Sequence, residues 1–196
     1  MLEARARGYP PGMHDADDFD DPVSATRRWL QRAVIGLNLC PFAKAVHVRN
    51  QVRYVLSEAT TPTALLAELT RELEFLHSAD PAMVETTLLV HPHVLGDFLD
   101  YNDFLDDADA AVEALGLEGE IQVASFHPDY VFADSDADDP ANCTNRSPFP
   151  MLHLLREESV ARAVETFPDP DAIVDRNIET MERLGIDGYH RLLEHP

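Results

Sequence analysis

A chain of 196 residues, 45% hydrophobic and 26% charged, has the length and balance of one ordinary globular domain. Its 36 acidic residues against 15 basic ones give a net charge of −21, a field that repels a phosphate backbone and argues against nucleic acid as a partner. Nothing approaches the run of about 18 apolar residues that a membrane span needs, and two cysteines are too few for a disulfide framework.

Residues 1–22 read as a solvated, disordered acidic leader, because His14-Asp15-Ala16-Asp17-Asp18-Phe19-Asp20-Asp21 carries charge without a core-forming pattern. No apolar region follows the Arg-containing start, so no signal peptide is expected. A cytoplasmic protein with Cys40 and Cys143 as reduced thiols follows from that. Residues 23–196 read as a single α/β domain.

The first helix is expected to start at Ser24, with Trp29, Leu30, Ala33, Val34 and Leu37 at helical spacing. Pro41 interrupts hydrogen bonding after it. Gln51 to Ser57 alternates as a strand does, and Thr61-Pro62 caps a helix striped by Leu65, Leu66, Leu69, Leu73 and Leu76. Thr86 to Val90 is β-branched and apolar, a buried strand ended by His91-Pro92-His93. A helix from Asp97 carries Phe98, Tyr101, Leu105, Ala108, Val112 and Leu115 on one face. Ile121 to Phe126 is a third strand, ended by His127-Pro128. A long aperiodic loop runs from Pro128 to Arg146. Ser147 then caps a helix with Pro148 in its first turn, another begins at Asp169-Pro170 and ends at Gly185, and a short one follows from Asp187.

Alternating strand and helix predicts an α/β fold with a small, mostly parallel sheet of about three strands, helices around it and a helical C-terminal region. In open parallel sheets ligands bind beyond the carboxyl ends of the strands, where both His-Pro pairs would lie. His91, His93 and His127 there could ligate a divalent metal such as zinc, and His91 and His127 could equally act as general bases. Arg146, with Asn145 and Ser147 at a helix N-terminus, would hold an anion. On the following helix, His153 and Glu157 are four residues apart and stack on one face as a metal pair, an acid/base pair or a surface ion cluster, and Arg156 would join Arg146 in holding a carboxylate or phosphate. Cys40 has no adjacent base in the sequence, and a small buried hydrophobe is the plainer reading of it, though a distant histidine could approach it in space.

Five segments together resemble the bacterial "domain of unknown function 1415" family. They are Gly36-Leu-Asn-Leu-Cys-Pro-Phe-Ala43, Leu88-Leu-Val-His-Pro-His93, Ser125-Phe-His-Pro128, Thr144-Asn-Arg-Ser-Pro148 and His153-Leu-Leu-Arg-Glu157. The resemblance runs from about Ser24 to Gly188 and leaves the leader outside. It implies no activity, cofactor or substrate. Cys143 stands where relatives are expected to carry an aromatic residue, which argues against a functional thiol there.

The functional expectation is an enzyme acting on a small anionic substrate, with metal-dependent hydrolysis as the first reaction considered. The alternatives are a thiol or redox enzyme using Cys40 with His127 or His153, and a ligand-binding or regulatory module without chemistry. P-loop, Gly-x-Gly-x-x-Gly, Gly-x-Ser-x-Gly and Cys-x-x-Cys motifs are all missing from the sequence.

Overall fold

The computed structural model describes residues 21–165 and 171–194. The acidic leader, apart from Asp21 and Pro22, lies outside the described residues. Asp21, rather than Ser24, caps the first helix: its carboxylate accepts from the Ser24 amide at 2.8 Å, and Pro22 occupies the first turn.

That helix, α1 (Pro22–Trp29), passes directly into a π-helical turn at Leu30–Ile35. The wider turn brings Gly36 so close to the preceding backbone that a Cβ there would sit 2.1 Å from the Arg32 carbonyl oxygen, so only glycine fits. Asn38 then takes a left-handed conformation (φ 56°) and turns the chain through Cys40-Pro41 into α2 (Ala43–Val48).

A strand-helix-strand unit follows. β1 (Val52–Leu56) and β2 (Thr86–Val90) run parallel, joined by α3 (Pro62–Ser78). The chain crosses again through α4 (Phe98–Ala114) to β3 (Ile121–Phe126), which skips a position and leaves a slot beside β2. A fourth strand, β4 (Met151–Arg156), fills that slot, antiparallel to both β2 and β3. The order is β1-β2-β4-β3. The three expected strands do point the same way, but the sheet is mixed and four-stranded, not mostly parallel.

β4 overturns the helix expected after Ser147-Pro148. Met151-Leu-His-Leu-Leu-Arg156 is a short apolar run, which periodicity alone cannot assign. A central strand covered on both faces also reads as continuous apolar sequence, and pairing on both edges satisfies its whole backbone. The helix that does form, α5 (Glu157–Glu165), starts one residue after the strand. The C-terminal helix α6 (Asp171–Glu194) breaks at Gly185, whose φ of 69° and ψ of 163° lie outside helical values, where the sequence places a helix end.

The two faces of the sheet differ. On one, α3 and α4 press Leu65, Leu69, Leu73, Leu76, Tyr101 and Phe104 against Leu89, Leu152 and Leu154. On the other, α1, the π-helical turn and α6 cover Leu88, Val90 and Met151 with Trp29, Met181 and Tyr189. That second cover stands off the sheet over β4, where Val52, Thr86, Leu88, Ala124, Phe126 and Leu155 line a cavity. Among the described residues, no helix is long and apolar enough to cross a membrane.

Candidate functional site

The strand-end histidines do not open onto a cleft. His91 and His127 are both 0% exposed and flank the ring of Tyr101 on α4, at centroid distances of 5.8 and 5.1 Å. The Tyr101 hydroxyl donates to the Met151 carbonyl at 2.9 Å and accepts from the Phe126 amide at 3.0 Å, pinning β3 to β4. His91 Nδ1 donates to the Val94 carbonyl at 3.0 Å, so Nε2 carries a lone pair, buried and without a partner among the described residues. His127 Nε2 donates to the Leu95 carbonyl at 3.2 Å while its Nδ1 accepts from the Asp129 amide at 3.0 Å. Burial lowers the pKa of both rings, that of His91 to about 4. His93 is exposed. With both nitrogens of His127 engaged and His93 turned out, the three do not form a chelating set. Among the described residues no group of three or more His, Cys, Asp or Glu side chains is arranged to hold a metal.

The loop residues are also tied into structure. No helix begins at Ser147, so the expected anion site at a helix N-terminus has no helix behind it. The Ser147 hydroxyl donates to the Phe149 carbonyl, and Asn145 Nδ2 to the Ser125 carbonyl. Arg146 Nε and Nη2 donate to the carbonyls of Tyr130 and Ala137 and fold the long loop onto itself. The Arg146 carbonyl in turn accepts from Trp29 Nε1 and from the Tyr189 hydroxyl. Arg156 reaches to the other side of the sheet, where its Nη2 lies 2.6 to 3.3 Å from the carbonyls of Leu76, Ala79 and Val84 and closes the end of α3. Glu157 opens α5 while His153 sits on β4, so the two do not stack on one helix.

His153 alone of the expected histidines faces an open volume. In the ladder it lies between Leu88 of β2 and Ala124 of β3, in the middle of the sheet. Above it is a cavity of about 1000 Å³, at the top of the range for small-molecule sites. The π-helical turn and α2 supply one wall, with Leu39, Cys40 and Phe42; α5 and α6 supply another. Thr86, the first residue of β2, fixes the ring. Its hydroxyl donates to the Leu154 carbonyl at 2.6 Å and can therefore only accept from His153 Nε2 at 2.7 Å. That assigns the proton to Nε2 and leaves the Nδ1 lone pair without a partner among the described residues. Burial holds the His153 pKa down to about 4, so the ring is neutral near pH 7.

Cys40 lines this cavity half-exposed, whereas Cys143 is buried elsewhere in the core. Burial pushes the Cys143 thiol up. Sequence motifs did not reveal Thr86 or the cavity. One signal was available: from Pro22 to Ser57 there is no Asp or Glu but six cations, against the trend of the whole chain.

Fold and site together define an α/β protein with a mixed four-stranded sheet and a small-molecule-sized cavity on one face. The chain belongs to the family described as "Protein of unknown function (DUF1415)", whose model matches residues 21–191. No curated protein and no solved structure matches the chain.

Proposed function

We propose that this protein binds a small, largely apolar molecule in the cavity over His153, and that as an enzyme it moves a proton on that molecule. One observation carries the reading: a neutral imidazole in the centre of the cavity floor, its tautomer set by Thr86, with a lone pair left for a ligand. With its pKa held down by burial, Nδ1 is a weak base and a good acceptor for a ligand N–H or O–H. An acidic group brought close would raise its pKa toward neutrality, where general-base work is most effective. The site lies on the sheet face over His153, and His91, His93 and His127 are not part of its lining. The reading keeps a small substrate and drops the metal from His91, His93 and His127. The unpaired thiols Cys40 and Cys143 fit a reducing bacterial cytoplasm as its location.

A thermal-shift screen of small apolar-bodied compounds tests it. Compounds that raise the Tm of the wild type should lose that effect in Ala124→Phe, which places a ring beside His153 on the cavity floor. His153→Gln should retain binding but lose exchange of the ligand's acidic protons with solvent. Hits that stabilise Ala124→Phe equally would contradict the site.

A thiol reading has one observation in its favour, since Cys40 and His153 line the same cavity while His127 does not. Iodoacetamide alkylation across pH separates the two. A Cys40 reacting with an apparent pKa near that of a free thiol, about 8.5, leaves the thiol without an activating base.

A further inference from the structure

The cavity reverses the charge balance of the protein. The whole chain has 36 acidic residues to 15 basic, yet the cavity is lined by three arginines, Arg49, Arg156 and Arg162, and by Glu85 as its one carboxylate among the described residues. Arg156 is spent on the end of α3, as described above. Arg49 and Arg162 both line the cavity and are exposed, which puts them at its mouth. Arg49 Nε donates to the neutral side-chain amide of Gln51 at 2.7 Å, so its charge is not offset there. Arg162 is partly offset by Glu158 at 3.3 Å and also donates to the Ser159 hydroxyl. Behind Arg49, the wall from α1 through α2 belongs to the acid-free stretch of residues 22–57, so no carboxylate of that segment cancels its field. Cavity walls of low polarity focus such a field on the opening.

Resting on the cavity reading, we infer that the ligand is a small amphipathic anion. Its apolar body lies over Leu88, Ala124 and Leu155, and its single acidic head meets Arg49 and Arg162 at the mouth. Arg146 and Arg156, the cations that the sequence offers for this task, hold backbone carbonyls instead. Recognition of this kind also raises the local concentration of an anion against an otherwise repelling surface.

Two probes that share one ring system make the test: N-phenyl-1-naphthylamine, which is neutral, and 8-anilinonaphthalene-1-sulfonate, which adds a sulfonate. Occupancy of the cavity is read as protection of Cys40 from N-ethylmaleimide, followed by mass spectrometry on the native chain. Both probes should slow Cys40 alkylation, with the sulfonate binding about three- to tenfold more tightly at low salt. The R49Q/R162Q variant should erase that difference and leave the neutral probe unchanged. R71Q, which removes an exposed cation on α3 away from the cavity, should preserve it. Equal affinity of the two probes, or a difference that survives in R49Q/R162Q, overturns the anion inference and leaves the cavity reading standing. Failure of both probes to protect Cys40 overturns the two together.

Discussion

The two faces of this sheet are made from alternate residues of the same strands, yet they do different work. On the α3/α4 face, Leu152 and Leu154 are fully buried in a leucine-rich layer, and the outer side of α4 carries six carboxylates and no cation. On the opposite face, His153 and Leu155 look into a cavity of about 1000 Å³ walled by a cation-rich, acid-free segment. A close-packed face holds the fold, and a face left open with one oriented polar group is available for a ligand. The histidines most conspicuous in the sequence, His91 and His127, pack on Tyr101 of α4 and so belong with the first region.

The sharpest contrast comes from neighbouring residues of β4. Leu154→Ala should lose about 3–4 kcal/mol, because it opens a void in a packed layer. Leu155→Ala should lose about 1 kcal/mol, because its side chain already borders open space. Equal losses by denaturant unfolding would show that the cavity face is packed as tightly as the other.

Acid should act on the packed region next. The folded-state pKa of His91 is about 4 against 6.5 for the free side chain, so below pH 6.5 the unfolded chain takes up the proton more readily. Stability is whole above that pH and falls as the pH drops, by roughly 3 kcal/mol from this group by pH 4. His153 acts in the same direction. His91→Phe, which keeps a ring against Tyr101, should flatten the stability profile between pH 6.5 and 4. An unchanged slope would remove His91 from the account.

Arg156 divides structure from binding. Arg156→Met strips the cation from three carbonyls at the end of α3 and should cost about 2–3 kcal/mol. It should leave the sulfonate probe's affinity as it was. A variant that stays stable but loses that affinity would move Arg156 to the cavity mouth.

Much of the framework was legible in the sequence because its signals are local. The stripe from Leu65 to Leu76, the Thr61-Pro62 start of α3 and the apolar run Thr86 to Val90 each state their own structure. β4 was not legible. Whether Met151–Arg156 coils or extends is decided by the vacancy between β2 and β3, which only the assembled sheet creates. The site suffered for the same reason. Sequence spacing pairs His153 with a helix neighbour at Glu157, while its actual partner, Thr86, lies 67 residues away in sequence. Nothing in the sequence around Cys40 marks it as a wall of the same cavity.

A smaller stability effect than that of Arg156→Met falls on that partner. Thr86→Val leaves both the Leu154 carbonyl and His153 Nε2 without the hydroxyl and should cost about 1–2 kcal/mol. It should also free the His153 tautomer, visible as a mixture of ring-nitrogen environments by NMR. A single unchanged tautomer in this variant would show that something other than Thr86 orients the ring.

If the cavity over His153 receives the ligand, the His-Pro edge should not respond to it. Nitrogen-15 NMR of histidine-labelled protein titrated with N-phenyl-1-naphthylamine tests this most directly. His153 should show a protonated Nε2 and an unprotonated Nδ1, with Nδ1 shifting on titration while His91 and His127 stay in place. Movement of His91 or His127 with His153 unaffected would contradict it.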